Sequence, residues 1–349
     1  MSSKSASWLK RNTYHHSDFS DIKKLVEMKR KKGLKISLCL PTLNEEKTIA
    51  KEIIIMKSEL MLRYPLLDEI AVIDSGSTDK TREIAASYGV DVYLADEILP
   101  EMERFKGKGE NLWKALYVLD GDIIVYIDAD IKNIHHRFVY GLVGPLLMRD
   151  DVRYVKAFYD RPLSIDAKRV KPTGGGRVTE LVIRPLFSLF TPQLSQIIQP
   201  LSGEYAGFRD VLEQVSFPIG YGIETSMLLD IYERYGMDIM AQVDLDKRVH
   251  RNQDTLALGR MAFGIMQTFI KRIEKLGLVK INTEMFDEML QHEILEGSYE
   301  KKSTEMRARE RPPMLTIPEY REQFKDGRSS SAVGKDEGKT GGGGKKNKA

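Results

Sequence analysis

Cysteine is nearly absent: Cys39 is the one thiol in 349 residues, so no disulfide can form within the chain. That absence points to a reducing, cytoplasmic setting. Long apolar runs are missing too. The longest, Phe138–Met148, is too short to span a bilayer, and the opening MSSKSASWLKR has no apolar segment of leader-peptide length. A strong charge of one sign is also lacking. The formal net charge is +3, and the stretch from Lys325 onward carries seven basic and three acidic residues, leaving about −1 for the rest. That balance argues against nucleic acid as a partner. Histidine is scarce at six residues. The adjacent pair His15–His16 is assigned no ligand role.

What is present is a globular composition, with 42% hydrophobic and 30% charged residues. The central stretch is GDIIVYIDAD, Gly121–Asp130. Ile123–Ile127 is expected to be a buried strand that stops at Asp128 and Asp130. Side chains alternate along a strand, so the two carboxylates share a side, where they can hold a hard cation such as Mg²⁺. The plain alternative is a solvated Asp-Ala-Asp turn.

Three further strands precede it, at Ile36–Leu40, Glu69–Ile73 and Val90–Leu94. Each is followed by a helical pattern. Strands alternating with helices predict a doubly wound, mainly parallel α/β sheet, which binds ligands outside the carboxyl ends of its strands. PTLNEE (Pro41–Glu46), DSGSTDKT (Asp74–Thr81) and the Asp-Ala-Asp turn all fall at that edge. Thr42 and Glu45 have the spacing of a capping box. Gly107–Leu116, GKGENLWKAL, is a further helix start.

The second half is less regular. Arg153–Tyr159 and Ile239–Val243 are expected strands. PTGGGRVT, Pro172–Thr179, sets three glycines before Arg177, which suits an anion. A flexible linker is the alternative. Glu204 is a potentially buried carboxylate. A helix should begin near Glu224, whose carboxylate either faces a ligand or simply suits the helix dipole. Residues 255–298 have helical spacing, and from Tyr299 the chain turns polar.

PTLNEE, VIDSGSTDKT, FKGKGENLW, YIDAD, GGGRVTEL, LSGEYAG, YGIET and VHRNQ occur in that order. Together they resemble the retaining glucosyl-3-phosphoglycerate synthases, relatives of the mannosyl-3-phosphoglycerate synthases. The resemblance covers roughly Trp8 to Leu290. It implies a GT-A-type, Rossmann-like fold with a C-terminal acceptor-binding and helical region. It also implies a cytoplasmic homodimer that moves glucose from UDP- or GDP-glucose to the 2-hydroxyl of 3-phosphoglycerate with Mg²⁺ or Mn²⁺. On this reading residues 1–34 are an N-terminal extension. Residues 35–135 form the nucleotide-sugar subdomain, 136–298 the acceptor and dimerisation subdomain, and 299–349 a polar, disordered tail.

Carried over by motif, Pro41, Leu43, Glu45, Ser75 and Lys108 would line the donor pocket, with Asp128 beside the ribose and sugar. Asp130 and His250 would ligate the metal. Gly176, Arg177, Thr179 and Asn252 would hold the acceptor. Glu224 would bind sugar hydroxyls, and the Leu201 carbonyl would lie near the reacting centre. The same motifs leave open mannose as the sugar, a polyprenyl-phosphate acceptor, or a nucleotide-sugar-binding protein without catalysis.

Overall fold

The computed structural model describes residues 3–161, 163–164, 170–171, 176–249 and 254–326. Eight strands form one sheet: β1 (Thr13–His15), β2 (Ile36–Thr42), β3 (Glu69–Asp74), β4 (Asp91–Leu94), β5 (Ile123–Tyr126), β6 (Tyr154–Asp160), β7 (Tyr205–Phe208) and β8 (Met240–Lys247). Their spatial order is β1-β8-β6-β7-β5-β2-β3-β4. All neighbours are parallel except β7, which runs antiparallel to both β5 and β6. The predicted α/β sheet is therefore present, with the carboxyl ends of β2, β3 and β5 side by side.

The longer helices are α1 (Ser3–Asn12), α2 (Ile22–Lys32), α3 (Ile49–Lys57), α4 (Thr81–Ser87), α5 (Lys108–Val118), α6 (Arg137–Met148), α7 (Arg184–Phe190), α8 (Ile223–Tyr235) and α9 (Thr255–Lys275). Side chains of β2, β3 and β5 alternate between two cores, one on each face of the sheet. Leu38, Val72, Val125 and Phe138 belong to one, and Cys39, Ile73, Ile124, Trp113 and Phe269 to the other. Both faces are covered, which is why these strands read as near-continuous apolar runs.

Four expectations are corrected. Thr42 does not cap a helix: it ends β2, and the next helix starts at Ile49 behind Thr48, with no side-chain cap. Residues 255–298 are not helical throughout. After α9 the chain forms an antiparallel hairpin, Glu288–Leu295 against Ser298–Glu305. Residues 1–34 are not a mere extension. β1 pairs with β8, the Trp8 indole donates to the Met237 carbonyl (2.8 Å), and the buried Asn12 donates to that of Met240 (2.8 Å).

Residues 299–349, expected as a disordered tail, include an ordered segment. Met314, Tyr320 and Phe324 are buried in the core, and Arg311 makes a buried, two-toothed pair with Glu110 (2.7 Å each). A buried pair of opposite charges escapes a composition-based reading, because each charge alone looks solvated. Residues 327–349 lie outside the described part.

Candidate functional site

The rim begins at β2 and β3. Buried Asp74 closes β3 and accepts from Thr42 Oγ1 (2.8 Å), Ser77 Oγ (2.5 Å), and the amides of Gly76 (3.0 Å) and Ser77 (2.7 Å). These bonds fold DSGSTD into a tight loop and tie it to the end of β2. Asn44, at φ 59°, presents its side chain to Thr78 N–H (2.9 Å), while its own amide donates to Ser77 Oγ (2.8 Å). Pro41 lies on the last turn of β2, and Leu43 is 55% exposed although apolar. An open apolar side chain at a strand's carboxyl end suits a ligand's flat face. Ser75 bonds Asn111 of α5 (2.8 Å). α5 itself starts at Lys108 behind Gly107.

The acidic centre lies one strand along. Asp128 forms an ion pair with Lys108, and its other oxygen accepts from Arg248 (3.0 Å). The same guanidinium reaches Asp130 (2.7 Å) and faces Glu204 through Nε (3.2 Å). Lys108 also pairs with Glu224 on the first turn of α8 (2.9 Å). Burial opposes ionisation of Asp128, but Lys108 and Arg248 outweigh it and hold its carboxyl well below the usual range. Burial likewise opposes charge on Lys108, and Asp128 and Glu224 overcome it, so the ammonium stays charged.

Glu45 behaves oppositely. Its pKa is pushed up to about 7, first by burial and then by Asp130. Glu52, fully buried below the rim, accepts from Ile131 N–H (3.1 Å) and is raised well above its usual value by burial. Among the described residues, Lys108 and Arg248 are the cations ion-paired to Asp128, Asp130, Glu204 and Glu224, with Glu45 close enough to feel Asp130. Such an oxygen-rich, carboxylate-heavy site fits a hard divalent ion.

A third layer supports these charges. Glu204 is buried next to β7 and accepts from Tyr159, which in turn accepts from Arg161 (2.9 Å). Gly203 lies so close to Asp128 that any Cβ there would run into the carboxylate. Lys156, on β6 and also buried, donates to the Ser202 carbonyl (2.7 Å) and lies 4.3 Å from the Tyr205 ring centre. Burial lowers its pKa to about 7. The segment Leu201–Glu204 is thereby fixed beside Asp128.

The structure thus joins Lys108, Asp128 and Glu224 directly, and joins Asp130 to them through Arg248. Glu45 feels Asp130 electrostatically. Gly176, at φ +79°, with Arg177 and Thr179 leads through the helical turn Thr179–Ile183 into α7, and Thr179 is buried. His250 and Asn252 lie outside the described residues. The sequence by itself points to neither Arg248 nor Lys156. The only hint of Arg248 was its place just before VHRN, and a Lys in mid-strand gave none.

Residues 37–210 match Glycosyl transferase family 2. The chain is 59% identical over 314 residues to the glucosyl-3-phosphoglycerate synthase of Petrotoga mobilis, covering 90% of this chain and 96% of that one. In three dimensions it resembles the mannosyl-3-phosphoglycerate synthase of Rubrobacter xylanophilus (TM-score 0.81, 34% identity, 89% and 97% covered). It also resembles the Mycobacterium tuberculosis glucosyl-3-phosphoglycerate synthase solved with Mn²⁺, UDP and phosphoglyceric acid (TM-score 0.73, 39% identity, 84% and 94% covered). That enzyme has been solved with Mg²⁺ and UDP as well. With the sheet order, the acidic rim and these likenesses together, the chain belongs to the glucosyl-3-phosphoglycerate synthases, within Glycosyl transferase family 2 and with a GT-A-like fold.

Proposed function

We propose that this chain transfers glucose from UDP-glucose to the 2-hydroxyl of 3-phosphoglycerate, with retention at the anomeric carbon and with Mg²⁺ or Mn²⁺. The observation that carries this is the cluster of Asp128, Asp130, Glu204 and Glu224 at the carboxyl end of β5, ion-paired to Lys108 and Arg248. Asp130 would hold the metal, with His250 as second ligand. Bound there, the ion would act as a Lewis acid on the departing diphosphate.

Pro41, Leu43, Glu45 and Ser75 are read as the nucleoside side of the pocket. Lys108 would move between Asp128 and the donor's charge. Gly176, Arg177, Thr179 and Asn252 would take the doubly anionic acceptor. Glu224 would bind sugar hydroxyls. Its pairing with Lys108 at 2.9 Å reduces its strength as a nucleophile. This favours front-side substitution near the Leu201 carbonyl over a glycosyl-enzyme intermediate.

A homodimer is part of the reading. Phe286 (87% exposed), Ile294 (87%) and Tyr299 (75%) on and beside the 288–305 hairpin leave an apolar surface that a second copy would cover. The buried thiol of Cys39 accords with a reducing cytoplasm. No helix among the described residues is long and apolar enough to cross a membrane, in keeping with an acceptor that is not a lipid. The experiment is a panel of UDP- and GDP-sugars offered with 3-phosphoglycerate, with NMR identification of product sugar and anomer. α-Linked glucosyl-3-phosphoglycerate from UDP-glucose is expected. A mannosyl product, or no product beyond buffer hydrolysis, overturns the reading.

A further inference from the structure

Four of the six histidines, His15, His16, His135 and His136, gather around Tyr140 of α6. Two of them converge on one carboxylate. His15 Nε2 lies 2.9 Å from one oxygen of Asp246, and His16 Nε2 lies 2.7 Å from the other. The three ligand atoms fall within 4.8 Å of one another.

The remaining ring nitrogens are already engaged. His15 Nδ1 is 2.7 Å from Ser17 Oγ, and His16 Nδ1 is 3.0 Å from the Tyr140 hydroxyl. Metal-binding histidines characteristically have such outer partners, which fix the ring and its tautomer. Asp246 is aimed by its backbone. It adopts φ 66° where the pairing of β8 with β6 shifts register, and its amide donates to Asp244 Oδ1 (2.9 Å). The other charges at the site are Arg137, 3.8 Å from Asp246 and bonded to the Leu245 carbonyl (2.9 Å), and Asp244.

We propose that His15, His16 and Asp246 form a second metal site, for a borderline ion such as Zn²⁺ rather than Mg²⁺. Two imidazoles and one carboxylate are a nitrogen-rich set that zinc-class ions prefer and Mg²⁺ does not. Moving each ring proton from Nε2 to Nδ1 frees both Nε2 lone pairs. The Tyr140 oxygen then accepts from His16 Nδ1–H, and Ser17 Oγ accepts from His15 Nδ1–H, which gives up the long bond it takes from the Ser17 amide (3.3 Å). No proton need leave the protein. His15 and Asp246 are about half exposed at the side chain (43% and 47%), which leaves room for water as a fourth ligand.

The ion would clasp the turn after β1 to the end of β8, two residues before Arg248. It would therefore stabilise the sheet edge that delivers the guanidinium to Asp128 and Asp130. It takes no part in the transfer.

The test uses the full chain, stripped by chelator and then saturated with Mg²⁺. Zn²⁺ is titrated calorimetrically into the wild type, Asp246→Asn and His16→Gln. The wild type should bind one more Zn²⁺ per chain than either variant. Its thermal midpoint should rise by about 3 °C or more at a hundredfold excess over Kd, with no rise attributable to this site in the variants. Co²⁺ in place of Zn²⁺ should show an absorption band near the visible red that Asp246→Asn lacks. Equal stoichiometry and equal shifts in all three proteins overturn the site. Mg²⁺-supported transferase activity, expected unchanged, reports folding. If His16→Gln does not fold, His15→Gln, at the more exposed ring, is scored by the same stoichiometry.

Discussion

The two walls of the acidic rim are built on different principles. The wall from β2 and β3 is held by short hydrogen bonds that converge on one buried carboxylate, Asp74, which gathers hydroxyls and amides from Thr42, Gly76 and Ser77. The wall around β5, β6 and β7 is held by buried charges from distant parts of the chain: Arg248, Glu204, Lys156, Lys108 and Glu224. In the first wall each bond is redundant, so losing one leaves others. In the second, Arg248, Lys108, Glu204 and Glu224 pair with carboxylates or cations of the same cluster, so losing one strands its neighbour in a low-dielectric setting. On the proposed function, the first wall suits a shape that stays fixed around a nucleotide. The second suits a region whose charges must exchange partners when a metal and two anionic substrates arrive.

This contrast ranks the expected effects. Arg248→Met should be the most damaging, because Glu204 is buried and Asp128 and Asp130 share the same guanidinium. Breaking one side of such a network costs about 3–5 kcal/mol, readable by urea unfolding. A loss under about 1 kcal/mol would mean that the network relaxes without its Arg. Lys156→Met should fold, since the side chains are similar in length, but it frees the Ser202 carbonyl. Turnover should fall by about 10- to 100-fold with little change in either KM. An unchanged kcat would remove Lys156 from the support of Leu201–Glu204.

Ser77→Ala tests the redundant wall. Asp74 keeps three donors, but the bond lost is to a carboxylate and the Asn44 amide loses its acceptor, so the loss should be about 2 kcal/mol. A loss equal to that of Arg248→Met would erase the distinction between the walls.

A further effect concerns pH. Burial first, then His136 and Arg137, lowers His135 from 6.5 to about 4, and its neutral Nδ1 accepts from Arg137 N–H (3.1 Å). Between those values the unfolded chain binds a proton that the folded chain refuses, so stability must fall as pH drops from about 6.5 towards 4. His135→Asn, which keeps an acceptor, should flatten that fall when urea midpoints at pH 7 and pH 5 are compared. An identical slope in both proteins would acquit His135.

The contrast also explains what could be read in advance. The first wall was legible because its residues are contiguous. Alternating strands and helices gave the sheet, and PTLNEE, DSGSTD and DAD marked its edge. The second wall was partly legible, since Glu204, Glu224 and Lys108 stood in recognisable motifs. Arg248 was not. In LDKRVHR a cation looks like one more solvated charge, and only the fold brings it to Glu204, Asp128 and Asp130. The same holds for Lys156, whose burial depends on β7 lying beside β6. It holds too for residues 310–326, where Arg311 enters the core only because Glu110 already waits there. β1 was hidden by its length: three residues carry no period.

The account depends on Asp130 holding a divalent ion at this rim. The most direct measurement is Mn²⁺ binding in the presence of UDP, followed by electron paramagnetic resonance, in the wild type and in Asp130→Asn. The expected result is a weakening of at least about a hundredfold in the variant, with the fold retained by circular dichroism. Equal Mn²⁺ affinity in the two proteins would contradict the assignment and place the ion elsewhere.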